Sequence, residues 1–150
     1  MPRTLIALAS LLLTLAAAFM PSFTHAGTPA LVVQNAWARK PPGVDTAAVY
    51  FTLTNTTTKP VTIVGATSTL ATHAMVHETS MVDGQSRMRM RDKVVIAPGK
   101  SMAFAPEGLH VMLTGFKYDV LVGDTMHVIL QLDGGGQVDV AALVRPLGSQ

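Results

Sequence analysis

The chain has 150 residues, of which 49% are hydrophobic and 13% are charged, and its formal net charge is +2. This length suits one folded domain, and the composition excludes both intrinsic disorder and the basic surface of a nucleic-acid-binding protein. Cysteine is absent, which excludes disulfides, thiolate metal sites and cysteine catalysis. Nine methionines and five histidines are present, and their placement carries most of the functional information.

The N-terminus has the layout of a secretory signal peptide. A basic residue, Arg3, precedes an apolar run from Thr4 to Met20, and small residues follow the run. This layout predicts a signal peptide over residues 1–26, cleaved before Gly27. The run is shorter than the roughly 20 residues of a membrane-spanning helix, and no cysteine follows it to accept a lipid. We therefore expect a periplasmic domain over residues 27–150 that has no membrane contact after cleavage.

The remainder of the chain predicts an all-β domain. Val, Thr, Ile, Leu and Tyr dominate short runs, and Gly, Pro, Asn and Asp separate these runs, as in β-sandwiches and barrels. No long stripe with a helical period occurs. The predicted strands are, in chain order, Leu31 to Arg39, Thr46 to Asn55, Pro60 to Ala66, His73 to Thr79, Ser86 to Arg91, Val94 to Ala97, Ser101 to Phe104, Leu109 to Thr114, Thr125 to Leu132 and Gln137 to Val144.

The sequence motifs of common enzymes are absent. There is no Gly-x-Ser-x-Gly elbow, no Gly-rich phosphate loop and no His-Glu-x-x-His helix, because His77-Glu78 is not followed by a second histidine. Acidic residues such as Asp83, Asp124 and Asp133 stand at predicted turns, where aspartate ordinarily bonds the backbone. We therefore expect no enzymatic activity.

Methionine and histidine alternate along three of the predicted strands. Side chains two residues apart in a strand point to the same face, so each strand presents its methionines and histidines together. The alternating residues are, strand by strand, His73, Met75 and His77, then Met88 and Met90, then His110 and Met112.

The first two of these strands are predicted to form a hairpin. Asp83-Gly84 is a strong signal for a two-residue turn, and such a turn places Met90 opposite His77. A slightly different loop of even length places Met88 there instead. Opposed residues share a face in an antiparallel pair, so both methionines accompany His77, and the sequence leaves open which one faces it.

The other methionines and histidines are interpreted as structural or remain without a role. Met102 and Met126 have no ligand-like neighbour on their own faces, so both are expected to fill the core. His127 lies on the opposite face from Met126 and is expected at the surface or in a hydrogen bond. Met81, at the turn, and His73, at a strand start, receive no assignment.

Neutral imidazole and thioether groups together suit copper, above all Cu(I). Zinc sites ordinarily contain cysteine, three histidines or a carboxylate, and calcium and magnesium are bound by oxygen ligands. A thioether needs no deprotonation, so such a site binds at neutral or acidic pH and releases metal by ligand exchange. A blue-copper electron carrier is excluded because it requires a cysteine thiolate.

The spacing of four of these residues resembles the signature of the periplasmic copper chaperones called PCuAC. The pattern is His-x10-Met-x21-His-x-Met, formed by His77, Met88, His110 and Met112. The resemblance covers nearly the whole mature domain. The other segments that resemble the family include Ala36 to Arg39, Ala48 to Asn55, Met88 to Arg91 and Gly108 to Leu113.

The resemblance implies a cupredoxin-like Greek-key β-sandwich that binds Cu(I) through His77, Met88, His110 and Met112. It places Met90 beside a ligand, where it is able to substitute for that ligand or to shield it. Delivery of copper to the CuA centre of cytochrome c oxidase, directly or through SCO-type thiol proteins, is the implied role. Some relatives end in a His- and Met-rich tail that binds Cu(II), and because this sequence shows no such tail, a second, Cu(II)-holding site is not expected.

The alternative interpretation is an exported β-sandwich that binds another protein and has no metal site. In that case the methionines and histidines are merely packed. Replacing Met88 and Met112 by leucine separates the two interpretations, because the change conserves volume. It spares a protein-binding module but abolishes copper retention by a chaperone.

Overall fold

The computed structural model describes residues 30–148, which form ten strands and contain no helix. The predicted signal peptide lies outside these residues. No helix long and apolar enough to cross a membrane occurs in the described part of the chain. The strands are β1 Leu31–Arg39, β2 Thr46–Asn55, β3 Val61–Thr67, β4 Ala71–Val82, β5 Gln85–Met90, β6 Val94–Ile96, β7 Ser101–Phe104, β8 Leu109–Phe116, β9 Thr125–Leu132 and β10 Gln137–Val144.

All ten predicted strands are present, and the largest difference is the length of β4. This strand runs from Ala71 to Val82, beyond both predicted ends. Its hydrogen bonds to β5 continue as far as Val82, next to the turn, and its pairing with β8 begins already at Ala71. Pairing partners on both sides therefore extend β4 past the segment that the alternation of side chains indicates.

The strands form one continuous hydrogen-bonded sheet in the order β5-β4-β8-β7-β2-β1-β10-β9-β3-β6. The sheet folds over so that β3, near one end, packs against β4, near the other. Its inner faces enclose one hydrophobic core, giving the cupredoxin-like β-sandwich that the resemblance implies. The largest fully buried side chains include Phe51, Leu53, Ile63, Leu113, Met126 and Leu130.

Strand β2 changes partner at Tyr50. Residues 46–49 pair with β8, and residues 51–54 pair with β7. Because β8 also pairs with β4, it lies between two strands that are distant from it in sequence. This arrangement brings Tyr50 close to the start of β8, where His110 lies.

A bulge in β1 determines which residue faces Tyr50. The ladder between β1 and β2 shifts by one residue between Gln34 and Trp37. Within the shift, Asn35 has φ of 53°, a left-handed conformation that asparagine tolerates better than most residues. The extra residue places Trp37 opposite Tyr50.

The turn between β4 and β5 has two residues, as predicted. Asp83 and Gly84 have φ values of 52° and 73°, as expected for the central residues of a type I′ hairpin turn. The resulting register places Met90 opposite His77 and leaves Met88 opposite Thr79. The structure thus decides between the two registers that the sequence left open.

Candidate metal site

One outer face of the sheet gathers most of the methionines and histidines of the described chain. Strand β4 lies between β5 and β8, and the registers align the alternating residues of all three strands. The neighbouring residues on the opposite face, such as Val76 and Val111, are buried in the core. We call the outer side the Met/His face; it carries His73, Met75, His77, Met81, Met88, Met90, His110 and Met112.

Two histidines form the centre of this face. His77 on β4 is directly opposite His110 on β8, and their ring centroids are 6.0 Å apart with an interplanar angle of 25°. On the other side of β4, Met90 is directly opposite His77. A methionine and two imidazoles therefore form one row across three neighbouring strands.

The other two residues of the sequence motif flank this row from opposite sides. Met112 lies two residues beyond His110 and pairs with Met75. Met88 lies two residues before Met90 and is diagonal to His77. The structure thus brings the two histidines together, places Met112 beside one of them, and puts Met90 rather than Met88 directly opposite the other.

The tautomer of His110 is fixed by the backbone. Its Nδ1 lies 3.1 Å from the carbonyl oxygen of Gly108. Because a carbonyl only accepts, Nδ1 is the donor, and in the neutral form of the ring the lone pair is then on Nε2. The same carbonyl accepts a 3.0 Å hydrogen bond from the N–H of Thr79. This backbone contact orients the buried ring, as carbonyl partners commonly do for metal-binding histidines.

The ring of His77 is largely removed from solvent on one side. Its Nδ1 is buried and makes no hydrogen bond of good geometry within residues 30–148. Burial lowers the pKa of His77 from its usual 6.5, the neighbouring His110 lowers it further, and both together outweigh a contact with the Met75 backbone that raises it. The imidazole is therefore neutral at pH 7, which is the form that binds metals.

Aromatic rings continue the row beyond the histidines. The Tyr50 ring lies 6.2 Å from that of His110, and Trp37 lies 4.5 Å from Tyr50. The guanidinium groups of Arg39 and Arg145 are each 5.3 Å from the Trp37 ring. Burial raises the pKa of Tyr50, which stays a neutral phenol. Sequence reasoning missed Tyr50 as a neighbour of the site, because only the pairing of β2 with β8 brings it there.

The methionines of β5 and of the end of β4 are open to solvent, unlike His110. Met81, Met88 and Met90 are 67%, 52% and 57% exposed, whereas His110 is 5% exposed. The face therefore combines a buried imidazole with thioether groups that another molecule can reach.

Within residues 30–148, the β4, β5 and β8 positions that form this face hold no carboxylate. Glu78, the nearest acidic residue in sequence, forms an ion pair with Arg91, whose Nε donates a 2.8 Å hydrogen bond to it. Within residues 30–148, no group of three or more His, Cys, Asp or Glu side chains is placed to hold a metal ion. A metal on this face would therefore need thioether ligands in addition to imidazoles.

The residues interpreted as structural lie elsewhere. Met126 is fully buried, and Met102 packs against the core. His127 is half-exposed, with Nδ1 3.0 Å from a carboxylate oxygen of Asp139. These positions confirm the expectations for the three residues. His73 is exposed on the Met/His face, opposite Thr114.

A β-sandwich with this motif on its outer face is a PCuAC-type domain, and solved structures support that class. The copper-bound PCuAC domain from PmoF2 matches with a TM-score of 0.63 over 77% of this chain and 92% of that domain, at 22% identity, and supports the fold. The Cu(I) form of DR1885 from Deinococcus radiodurans is 33% identical, covers 86% of this chain and 89% of its own, and has a TM-score of 0.61. Its apo form is 31% identical over all of both chains, with a TM-score of 0.61.

Residues 31–144 match the LpqE-like family, and the chain belongs to that family. A relative from Leifsonia xyli subsp. xyli (strain CTCB07), the protein Lxx21020, carries the word lipoprotein in its name. It is 32% identical over 114 residues, which are 75% of this chain and 68% of the relative.

Proposed function

We propose that this protein is an exported Cu(I) metallochaperone, which transports an ion and catalyses no reaction. The observation that carries the proposal is the pair of facing imidazoles, His77 and His110, flanked by methionines on an open sheet face in a chain without cysteine. Imidazole combined with thioether favours Cu(I) over zinc, calcium or magnesium. The 33% identity to DR1885, which has been solved in a Cu(I) form, supports the same cargo.

The proposed ligands are His77, Met88, His110 and Met112. The nitrogen ligands are suited to the role because the His110 tautomer is fixed by Gly108 and the lowered pKa of His77 keeps its ring neutral.

Release is as important as binding in a chaperone. The four proposed ligands are uncharged. When the metal ion dissociates, no anionic ligand remains unpaired in the protein. Met88 is half exposed, so an acceptor ligand can approach the metal from the β5 side. The proposed acceptors in the periplasm are the CuA centre of cytochrome c oxidase or an SCO-type protein, since soft thiolates bind Cu(I) well and draw it from thioethers.

The test is competition for Cu(I) between the purified protein and a chromophoric Cu(I) chelator. The parent is expected to retain one tight equivalent, and a Met88→Leu/Met112→Leu double variant is expected to lose it while remaining folded. A Met102→Leu/Met126→Leu variant changes the same residue type in and beside the core and serves as the matched control. Equally weak binding by parent and double variant would reject the copper assignment and favour the protein-binding module.

A further inference from the structure

The end of the β4–β5 hairpin extends beyond its neighbouring strand. Strand β4 pairs with β8 only as far as Glu78, whereas its pairing with β5 continues to Val82. Every residue from Asp83 to Met90 is exposed. The outer part of the hairpin is thus a two-stranded ribbon that another protein can contact from either face.

Three methionines line one face of this ribbon. Met81 lies nearest the turn, Met88 follows on the adjacent strand, and Met90 lies opposite His77 at the base. Met81 and Met88 are diagonal neighbours, with backbone positions about 7–8 Å apart. Met88 and Met90 are two residues apart on one strand, about 7 Å. Successive thioethers therefore lead from the exposed turn to the histidine pair in short steps.

Packing in the folded protein does not explain why methionine occupies these three positions. All three are more than half exposed and none belongs to the hydrophobic core of the described residues. An exposed apolar edge strand favours aggregation, so proteins ordinarily protect such edges with charged side chains. The opposite face of β5 follows that rule with Arg87 and Arg89, which are exposed, but the Met/His face does not.

We propose that Met81, Met88 and Met90 form a thioether relay along which Cu(I) moves between the tip of the hairpin and His77 and His110. A copper donor or acceptor with thiol or thioether ligands would dock at the tip, beside Met81. This inference rests on the proposed function as a Cu(I) chaperone and adds a residue, Met81, that is not a ligand of the resting site.

Each step of the relay is a ligand exchange. A bond from copper to the next sulfur forms as the bond to the previous one breaks, and copper remains Cu(I) throughout. Thioethers are neutral, so no proton moves within the protein; when a thiol of the acceptor takes the metal, its proton passes to solvent. A residue that acts only between the end states changes the rates in both directions equally and leaves the equilibrium affinity unchanged.

The experiment compares the parent with Met81→Leu, a volume-conserving change at an exposed position. Stopped-flow measurements follow Cu(I) transfer from the protein to dithiothreitol, a thiol acceptor, and in the reverse direction, by the ultraviolet absorption of the Cu(I)–thiolate bond, and equilibrium competition gives the affinity. Met81→Leu is expected to slow both directions about tenfold and to leave the affinity within about twofold of the parent. Met102→Leu, on β7, is expected to change neither.

Three results would overturn the relay. Unchanged rates in Met81→Leu would show that copper does not pass this residue. A loss of affinity that matches the change in one rate would make Met81 a ligand of the resting site. Failure of the parent itself to bind Cu(I) would reject the chaperone function, and this result is distinguishable because it appears without any substitution.

Discussion

Methionine and histidine occur together on β9 as well as on β4 and β8, but with opposite consequences. Met126 and His127 are adjacent in sequence, so one side chain is fully buried and the other is exposed beside Asp139. On β8, His110 and Met112 are separated by one residue and share a face. Spacing along the strand, rather than composition, therefore distinguishes a core methionine with a surface histidine from a pair of candidate ligands.

The surroundings of the two histidines, His127 on β9 and His77 on β4, differ as well. His127 is half-exposed and lies beside the carboxylate of Asp139. His77 is partly buried beside another imidazole, and burial, together with His110, lowers its pKa. The first environment suits a surface ion pair, and the second suits a neutral ring that binds a soft metal ion.

The substitution with the largest expected effect on stability is in the core, at Met126. Met126→Ala removes a fully buried side chain and should lower the free energy of unfolding by about 2–5 kcal/mol. Chemical denaturation measures this loss, and Cu(I) competition should show unchanged affinity in the folded protein. A strong loss of Cu(I) affinity in the folded variant would contradict the separation of the two regions.

The next effect concerns the centre of the Met/His face. His77→Ala should weaken Cu(I) binding about a hundredfold, equivalent to about 2.7 kcal/mol, because one of the two proposed imidazole ligands is lost. Competition with a chelator gives the affinity. His73→Ala, on the same strand and face, is the control and should bind as the parent does; equal losses in both variants would show that the face acts without a defined site.

A smaller effect separates the two methionines of β5. Met88→Leu is expected to weaken Cu(I) binding about tenfold, equivalent to about 1.4 kcal/mol, and Met90→Leu less than about threefold. The same competition assay ranks them. The opposite ranking would transfer the ligand role to Met90, in agreement with its position directly opposite His77.

The smallest effect is expected on β9 and β10. Asp139→Asn removes the half-exposed partner of His127, and such surface pairs stabilise by less than about 1 kcal/mol. Denaturation curves should shift only slightly, and Cu(I) affinity should not change. Any measurable loss of Cu(I) affinity would mean that this region also takes part in copper binding.

Local sequence signals predict the strands and the hairpin well. The alternation of His73, Met75 and His77 fixes their common face, and the Asp83-Gly84 turn brings Met90 opposite His77 as one of two predicted registers. Both features depend on backbone geometry within a few residues, so the sequence alone is sufficient to indicate them.

Local sequence signals do not predict which strands pair when the strands are far apart along the chain. No local pattern places β8 between β4 and β2, and this placement brings His110 beside both His77 and Tyr50. The bulge at Asn35 likewise decides that Trp37 faces Tyr50. The candidate site is assembled by these long-range contacts, and in the sequence only the family resemblance connects candidate ligands that are far apart along the chain.

X-ray absorption at the copper edge of the Cu(I)-loaded protein identifies the atoms that are bound to the metal. We expect both sulfur and imidazole nitrogen bound to copper, with a smaller sulfur contribution in Met88→Leu and a smaller imidazole contribution in His77→Ala, two variants that still bind enough Cu(I) to be loaded. Copper bound by nitrogen and oxygen alone, with a spectrum unchanged in Met88→Leu, would rule out a site of imidazole and thioether ligands.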